Sequence, residues 1–124
     1  MTVGYAGGAQ QWPTYRSIKD HTEAVRVVFD PNVITYNEIL DHFLQEAGPS
    51  ISPAYSRQYR TAIFFHNPTQ RIVAEQKLTE LSKKLNGRRV YIDLEDANAT
   101  AGFYRAEEYH QKYYEKARYG RAGY

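Results

Sequence analysis

The clearest pattern of apolar and polar positions runs through residues 15–29, with Glu23 at its centre. From Ala24 the chain continues Val25, Arg26, Val27, Val28 and Phe29 before Asp30-Pro31 stops it. β-Branched and aromatic residues at this density predict a strand, with Val25, Val27 and Phe29 on one side and Ala24, Arg26 and Val28 on the other. Glu23 enters on the Val25 side. A carboxyl on an apolar strand face loses water and is favoured in its protonated form, which is how a general acid is made. The competing reading is a carboxylate at the wet mouth of the strand, paired with Arg26 or His21.

The same reading extends along the chain. Thr2 to Gly8 reads as the end of a strand breaking into a glycine turn, and Gln10 to Lys19 as a polar loop with Trp12-Pro13-Thr14-Tyr15 as its bulky part. No Lys-Ser/Thr follows the glycines, so they are not a phosphate loop. Thr35-Tyr36-Asn37-Glu38 is a capping box, with Ile34 and Ile39 spaced as a hydrophobic staple. The helix it opens carries Ile39, Leu40, Phe43, Leu44 and Ala47 on one face and stops at Gly48-Pro49. After a loop to Arg57, residues 59–65 predict a strand with Tyr59, Thr61, Ile63 and Phe65 on one face. Asn67-Pro68 supplies an N-cap and a first-turn proline for a second helix with the stripe Ala74, Leu78, Leu81 and Leu85, ended by Asn86-Gly87. Val90, Ile92 and Leu94 alternate with Tyr91, Asp93 and Glu95, which predicts a half-exposed strand. A short helix is expected over 106–116, then a loose basic tail over 118–124.

Strands alternating with helices predict an α/β (α+β) two-layer sandwich, a mixed sheet with helices on one side, in a single domain spanning 1–124. The opening looks cut, because a short strand stub leads straight into a glycine turn. Composition fits a soluble globular domain, 42% apolar and 24% charged. A net charge of +2 is too small to argue for nucleic acid or a membrane surface. No apolar run approaches the ~18 residues of a membrane span, and the first residues show no basic and apolar signal pattern, so a cytoplasmic location is expected. There are twelve Tyr, whose hydroxyls need partners when buried and can line a polar pocket. There is no Cys, which removes disulfides, thiolate metal sites and thiol mechanisms from these residues.

Several blocks, taken in order, resemble the A-type peptide-methionine (S)-sulfoxide reductases. They are Val3-Gly4-Tyr5-Ala6-Gly7-Gly8, Pro13-Thr14-Tyr15, His21-Thr22-Glu23-Ala24-Val25 running into Phe29-Asp30-Pro31, and Gln58-Tyr59-Arg60 followed by Ala62-Ile63-Phe64. Phe103-Tyr104 and Ala106-Glu107-Glu108-Tyr109-His110-Gln111 complete the set. The resemblance covers nearly the whole chain.

It implies a two-layer α/β fold and reduction of methionine sulfoxide in peptides or proteins, repairing oxidative damage, with thioredoxin as the usual electron source and no cofactor or metal. In that family a cysteine thiolate attacks the sulfoxide sulfur, a buried Glu protonates the oxygen and two Tyr hydroxyls hold it. By motif these are Glu23, Tyr15 and Tyr59. A sulfoxide oxygen is a strong acceptor and a poor leaving group, so a proton donor and preorganised hydrogen bonds suit it.

The departures weigh as much. The family's nucleophile lies in a Gly-Cys-Phe-Trp-Gly segment upstream of the glycine turn, on a strand–helix unit that this sequence does not contain. Ala54 stands where the family usually carries an Asp, and Ala122 stands near the place where some members keep a resolving cysteine. The loop between Tyr15 and His21 is shorter than in many members. Without the thiolate the remaining groups only polarise the bond, so the chain as given is expected to be inactive. A fragment of a full reductase and a degenerate relative that only binds methionine sulfoxide or a partner peptide both fit. A Tyr-rich module stacking on single-stranded nucleic acid through the tail does not, because the aromatics fall at core spacings.

Overall fold

The computed structural model describes residues 1–48, 50–54, 56–107 and 122–123. Six strands form one mixed sheet: β1 (Thr2–Ala6), β2 (Thr22–Arg26), β3 (Thr61–Phe65), β4 (Ile92–Asp96), β5 (Tyr104–Arg105) and β6 (Ala122–Gly123). Their spatial order is β4-β3-β6-β2-β1-β5. β1 runs antiparallel to β2 and to β5, whereas β2, β6, β3 and β4 are mutually parallel. Two helices, α1 (Tyr36–Ala47) and α2 (Pro68–Lys84), complete the described regular structure, with short 3-10 turns at Arg57–Tyr59 and Ala97–Ala99.

The helices begin where the sequence says they should, because their caps are local. The Thr35 hydroxyl accepts from the Glu38 N–H at 3.1 Å, and the Glu38 carboxylate accepts from the Thr35 N–H at 3.2 Å. Asn67 Oδ1 accepts from the Gln70 N–H at 2.9 Å, with Pro68 in the first turn. Gly48, at φ 72°, ends α1. Leu40 and Ala74 are buried with Ile63 and Ile92, and Phe43, Leu44, Leu78 and Leu81 pack around them. Both helices therefore cover one face of the sheet. Val3, Tyr5, Ile18, Val25 and Ala106 continue that apolar layer over β1 and β2, since Val25, Gly123, Ile63 and Leu94 fall in one cross-strand row. The opposite face carries Ala6, Ala24, Ala62 and Phe64, closed by Ala97 and Phe103.

The elements depart from expectation mainly at their ends. The strand expected to reach Phe29 stops at Arg26. Val28 is 80% exposed, and Phe29 turns to stack on Tyr36 with ring centroids 6.4 Å apart. Tyr59 lies in a 3-10 turn and not in β3, and the strand expected from Val90 begins at Ile92. β5 and the Ala97–Ala99 turn lack the length that makes periodicity visible. Of the tail expected to be loose, Ala122–Gly123 forms β6 in the middle of the sheet. The helix expected over 106–116 lies outside the described residues from 108 on. Among the described residues no helix is long and apolar enough to cross a membrane.

Candidate functional site

Glu23 lies on β2, half-buried, on the face it shares with Val25; its cross-strand neighbour is Tyr5. Tyr5 is 2% exposed, and its hydroxyl donates to Glu107 Oε1 at 3.1 Å. The other oxygen of Glu107 accepts from the backbone N–H of Tyr15 at 3.4 Å. One carboxylate thus ties the Tyr15 loop to the strand opposite Glu23. On the other side, the Thr22 hydroxyl donates to the Arg57 carbonyl at 2.9 Å. That bond holds the 3-10 turn ending in Tyr59 against the start of β2. The segments carrying Tyr15, Glu23 and Tyr59 are thereby brought to one end of the sheet from three separate parts of the chain. Tyr15 is 45% and Tyr59 39% exposed, so both phenols are open to an incoming molecule. Ala54 is exposed in the loop preceding the turn.

The glycine turn at this end is clamped from four directions. Gly7 adopts φ 86°, and a Cβ there would stand 2.6 Å from Arg60 Nη2 and 2.7 Å from the Phe64 ring, so no larger residue fits. Arg57 donates to the Gly7 carbonyl at 2.7 Å and to the Asp20 carbonyl at 2.6 Å. Asp20 accepts from the backbone N–H of Ala9 at 2.7 Å and of Gln10 at 3.2 Å. The Ala9 bond, foremost, holds the Asp20 carboxyl below its ordinary pKa. His21 is fully buried; Nδ1 accepts from the Gly8 N–H at 3.3 Å and Nε2 contacts the Gln10 carbonyl at 2.5 Å. With Nδ1 accepting, Nε2 carries the proton and donates. Trp12 is 75% exposed and meets the edge of Tyr104 at 5.6 Å.

Beneath the turn, on the helix-free face, lies an ion cluster that periodicity does not announce. Arg60 is 6% exposed. Its Nε donates to the Thr22 hydroxyl at 2.7 Å, Nη1 to Glu95 at 2.6 Å and to Asp93 at 3.1 Å, and Nη2 to Glu95 at 3.1 Å. Burial alone would lower the guanidinium pKa, but Glu95 and then Asp93 outweigh it, and the net direction is upward. The polar side of β4, expected to face water, therefore answers a buried cation. Thr22 is shared between this cluster and the Tyr59 turn, which couples the network to the residue next to Glu23. Glu107 and Arg60 both sit inside the sequence blocks noted above, yet only their placement shows what they hold. Among the described residues, no group of three or more His, Asp or Glu is placed to hold a metal ion.

The peptide methionine sulfoxide reductase family profile matches residues 1–124. A peptide methionine sulfoxide reductase of Drosophila melanogaster is 38% identical over 112 residues, covering 90% of this chain and 44% of the relative. Peptide methionine sulfoxide reductase MsrA of Methanosarcina acetivorans is 38% identical over 122 residues, covering 92% and 64% respectively. The chain thus spans about half to two-thirds of the length of these relatives. Among solved structures, an oxidised form of Mxr1 from Saccharomyces cerevisiae superposes with a TM-score of 0.64 at 29% identity, covering 93% of this chain and 64% of the yeast chain.

Proposed function

The chain belongs to the peptide methionine sulfoxide reductase family, and we propose that the Glu23 end of its sheet holds the sulfoxide group of oxidised methionine in peptides or proteins. The supporting observation is that the Tyr15 loop, the Tyr59 turn and Glu23 are tied to one end of the sheet by Glu107 and Thr22. In this reading Glu23 donates a proton toward the sulfoxide oxygen, and the Tyr15 and Tyr59 hydroxyls hydrogen-bond it. All three act on the atom that gathers negative charge as the S–O bond breaks.

Reduction needs more than polarisation. Two thiols must supply two electrons, giving the sulfide, water and a disulfide, and the first step is attack by a thiolate. These 124 residues contain no cysteine. The proposed activity of the chain as given is therefore recognition of methionine sulfoxide without turnover. A thioredoxin-like dithiol is the class of reductant that would act once a thiolate is present at the site.

The test is a titration of the chain with the S and R epimers of N-acetylmethionine sulfoxide amide, read by NMR of the Tyr rings, alongside a turnover assay with dithiothreitol. Saturable shifts at Tyr15 and Tyr59, a preference for the S epimer, weakening in Glu23→Gln and no methionine produced are the expected results. Equal binding of both epimers, or of the Glu23→Gln variant, would remove Glu23 from the site. Protein-dependent formation of methionine by the cysteine-free chain would refute the thiolate requirement.

A further inference from the structure

The structure holds a second concave region away from Glu23, a cavity of about 480 Å³ where β2 runs out beside α1 and β3. Among the described residues its walls include Val27, Phe29, Ile39, Leu40, Phe43 and Ile63. The volume lies in the range of pockets that take small organic ligands. It exists because the chain leaves the sheet at Arg26: Val27 to Phe29 no longer pair along β3, and Phe29 stacks on Tyr36 instead.

Two polar features mark what would fit. The first is the Tyr36 hydroxyl, which lines the cavity, is shut off from solvent and has no hydrogen-bond partner among the described residues. A buried hydroxyl left unpaired is costly, and the shortfall is met when a ligand brings an acceptor to it. Burial also pushes the Tyr36 pKa up to about 12, so the group stays a neutral O–H donor. The second is the sign of the charge: Arg26, His42 and His66 are exposed lining residues, and no Asp or Glu lines the cavity among the described residues. Apolar walls, one interior donor and basic groups at the mouth make a three-part pattern.

We propose that this cavity binds a medium-chain aliphatic carboxylate carrying one oxygen function part-way along its chain, such as an oxo fatty acid. The alkyl body fills the apolar walls, the carboxylate stays at the mouth beside Arg26, His42 and His66, and the in-chain oxygen accepts from Tyr36. A plain fatty acid leaves the Tyr36 hydroxyl unpaired, and a second copy of the chain would have to bring both an apolar edge and an acceptor.

The probes are 6-oxodecanoate, decanoate and the methyl ester of 6-oxodecanoate, titrated into the 124-residue chain and followed by calorimetry and by NMR of the Ile39 and Val27 methyl groups. Expected are saturable binding of the oxo acid with shifts at those methyls, a preference of about five- to tenfold over decanoate, and weaker binding of the ester. Tyr36→Phe removes an unpaired hydroxyl, keeps the ring stack and is expected to fold at least as well as the parent. In that variant the preference for the oxo acid over decanoate should vanish while decanoate binding persists. The proposal is overturned by absence of saturable binding, by equal affinity for oxo acid and decanoate in the parent chain, or by an ester that binds as tightly as the acid. It is also overturned if sedimentation shows self-association that the oxo acid cannot reverse, which would give the groove to a second copy.

Discussion

Asp20 shows how one side chain can set a loop. Its carboxylate accepts two backbone N–H groups of the turn after Gly8, and its pKa is lowered below the ordinary 3.8 chiefly by the Ala9 bond. A carboxyl depressed in the folded state adds stability that is fully present above the unfolded value and is lost as pH falls through the folded one. Urea unfolding at pH 5 and pH 3 should therefore show a fall in stability that is smaller in Asp20→Asn; an equal fall in both would place the acid sensitivity elsewhere. Arg60 is the other decisive residue. Removing Glu95 leaves a buried guanidinium with Asp93, which is 54% exposed, as its remaining carboxylate. Glu95→Ala is expected to cost about 2–3 kcal/mol, below the cost for a fully buried pair because Glu95 is itself partly exposed. Glu95→Gln, which keeps an acceptor, should lose less. Equal losses in chemical denaturation would mean that packing, and not charge, is what Glu95 supplies.

Among the elements, the helices follow local chemistry most closely. Thr35 and Glu38 satisfy each other's backbone donors, so Thr35→Ala should lower stability by about 1 kcal/mol, measured by the shift in urea midpoint. A neutral result would mean that the packing of Leu40 and Phe43 alone holds the first turn of α1. Strands follow less closely, because their limits depend on neighbours. The run from Val25 to Phe29 has the composition of a strand throughout, but β2 ends at Arg26 and Phe29 finds its partner in Tyr36 instead. Tyr59 continues the alternation of β3 on paper, yet a 3-10 turn takes it, with the adjoining Arg57 carbonyl held by Thr22. In both places a tertiary contact outcompetes a weak period-two signal.

At the scale of the whole molecule, the sheet is joined through its weakest member. β2 and β3 each have five residues, and the strand between them, β6, has two. Side-chain help crosses the same gap, since Arg60 at the start of β3 donates to Thr22 on β2 at 2.7 Å. Deleting residues 122–124 removes β6 and leaves two interior edges unpaired, and such edges recruit other strands. The shortened chain should melt at lower temperature or associate, with faster amide exchange at Val25 and Ile63. A monomer with unchanged melting would show that the Arg60 cluster and the helices hold the two halves together without β6.

What the sequence by itself determined was whatever is decided within a few residues: both helix starts, the glycine turn, the strand character of β1 to β4, and the blocks that place the chain in its family. Caps, turns and alternation are short-range hydrogen-bonding and steric effects, so the neighbouring residues carry the information. Glu23, Tyr15 and Tyr59 could be named from those blocks, but not the carboxylate of Glu107 that anchors the Tyr15 loop, nor the Thr22 hydroxyl that holds the Tyr59 turn. Strand order, the insertion of β6, the partners of Arg60 and the cavity beside Tyr36 were decided only by tertiary structure. Each depends on which distant segments pay the entropy of closing a long loop and win the contact, and local pattern does not encode that competition.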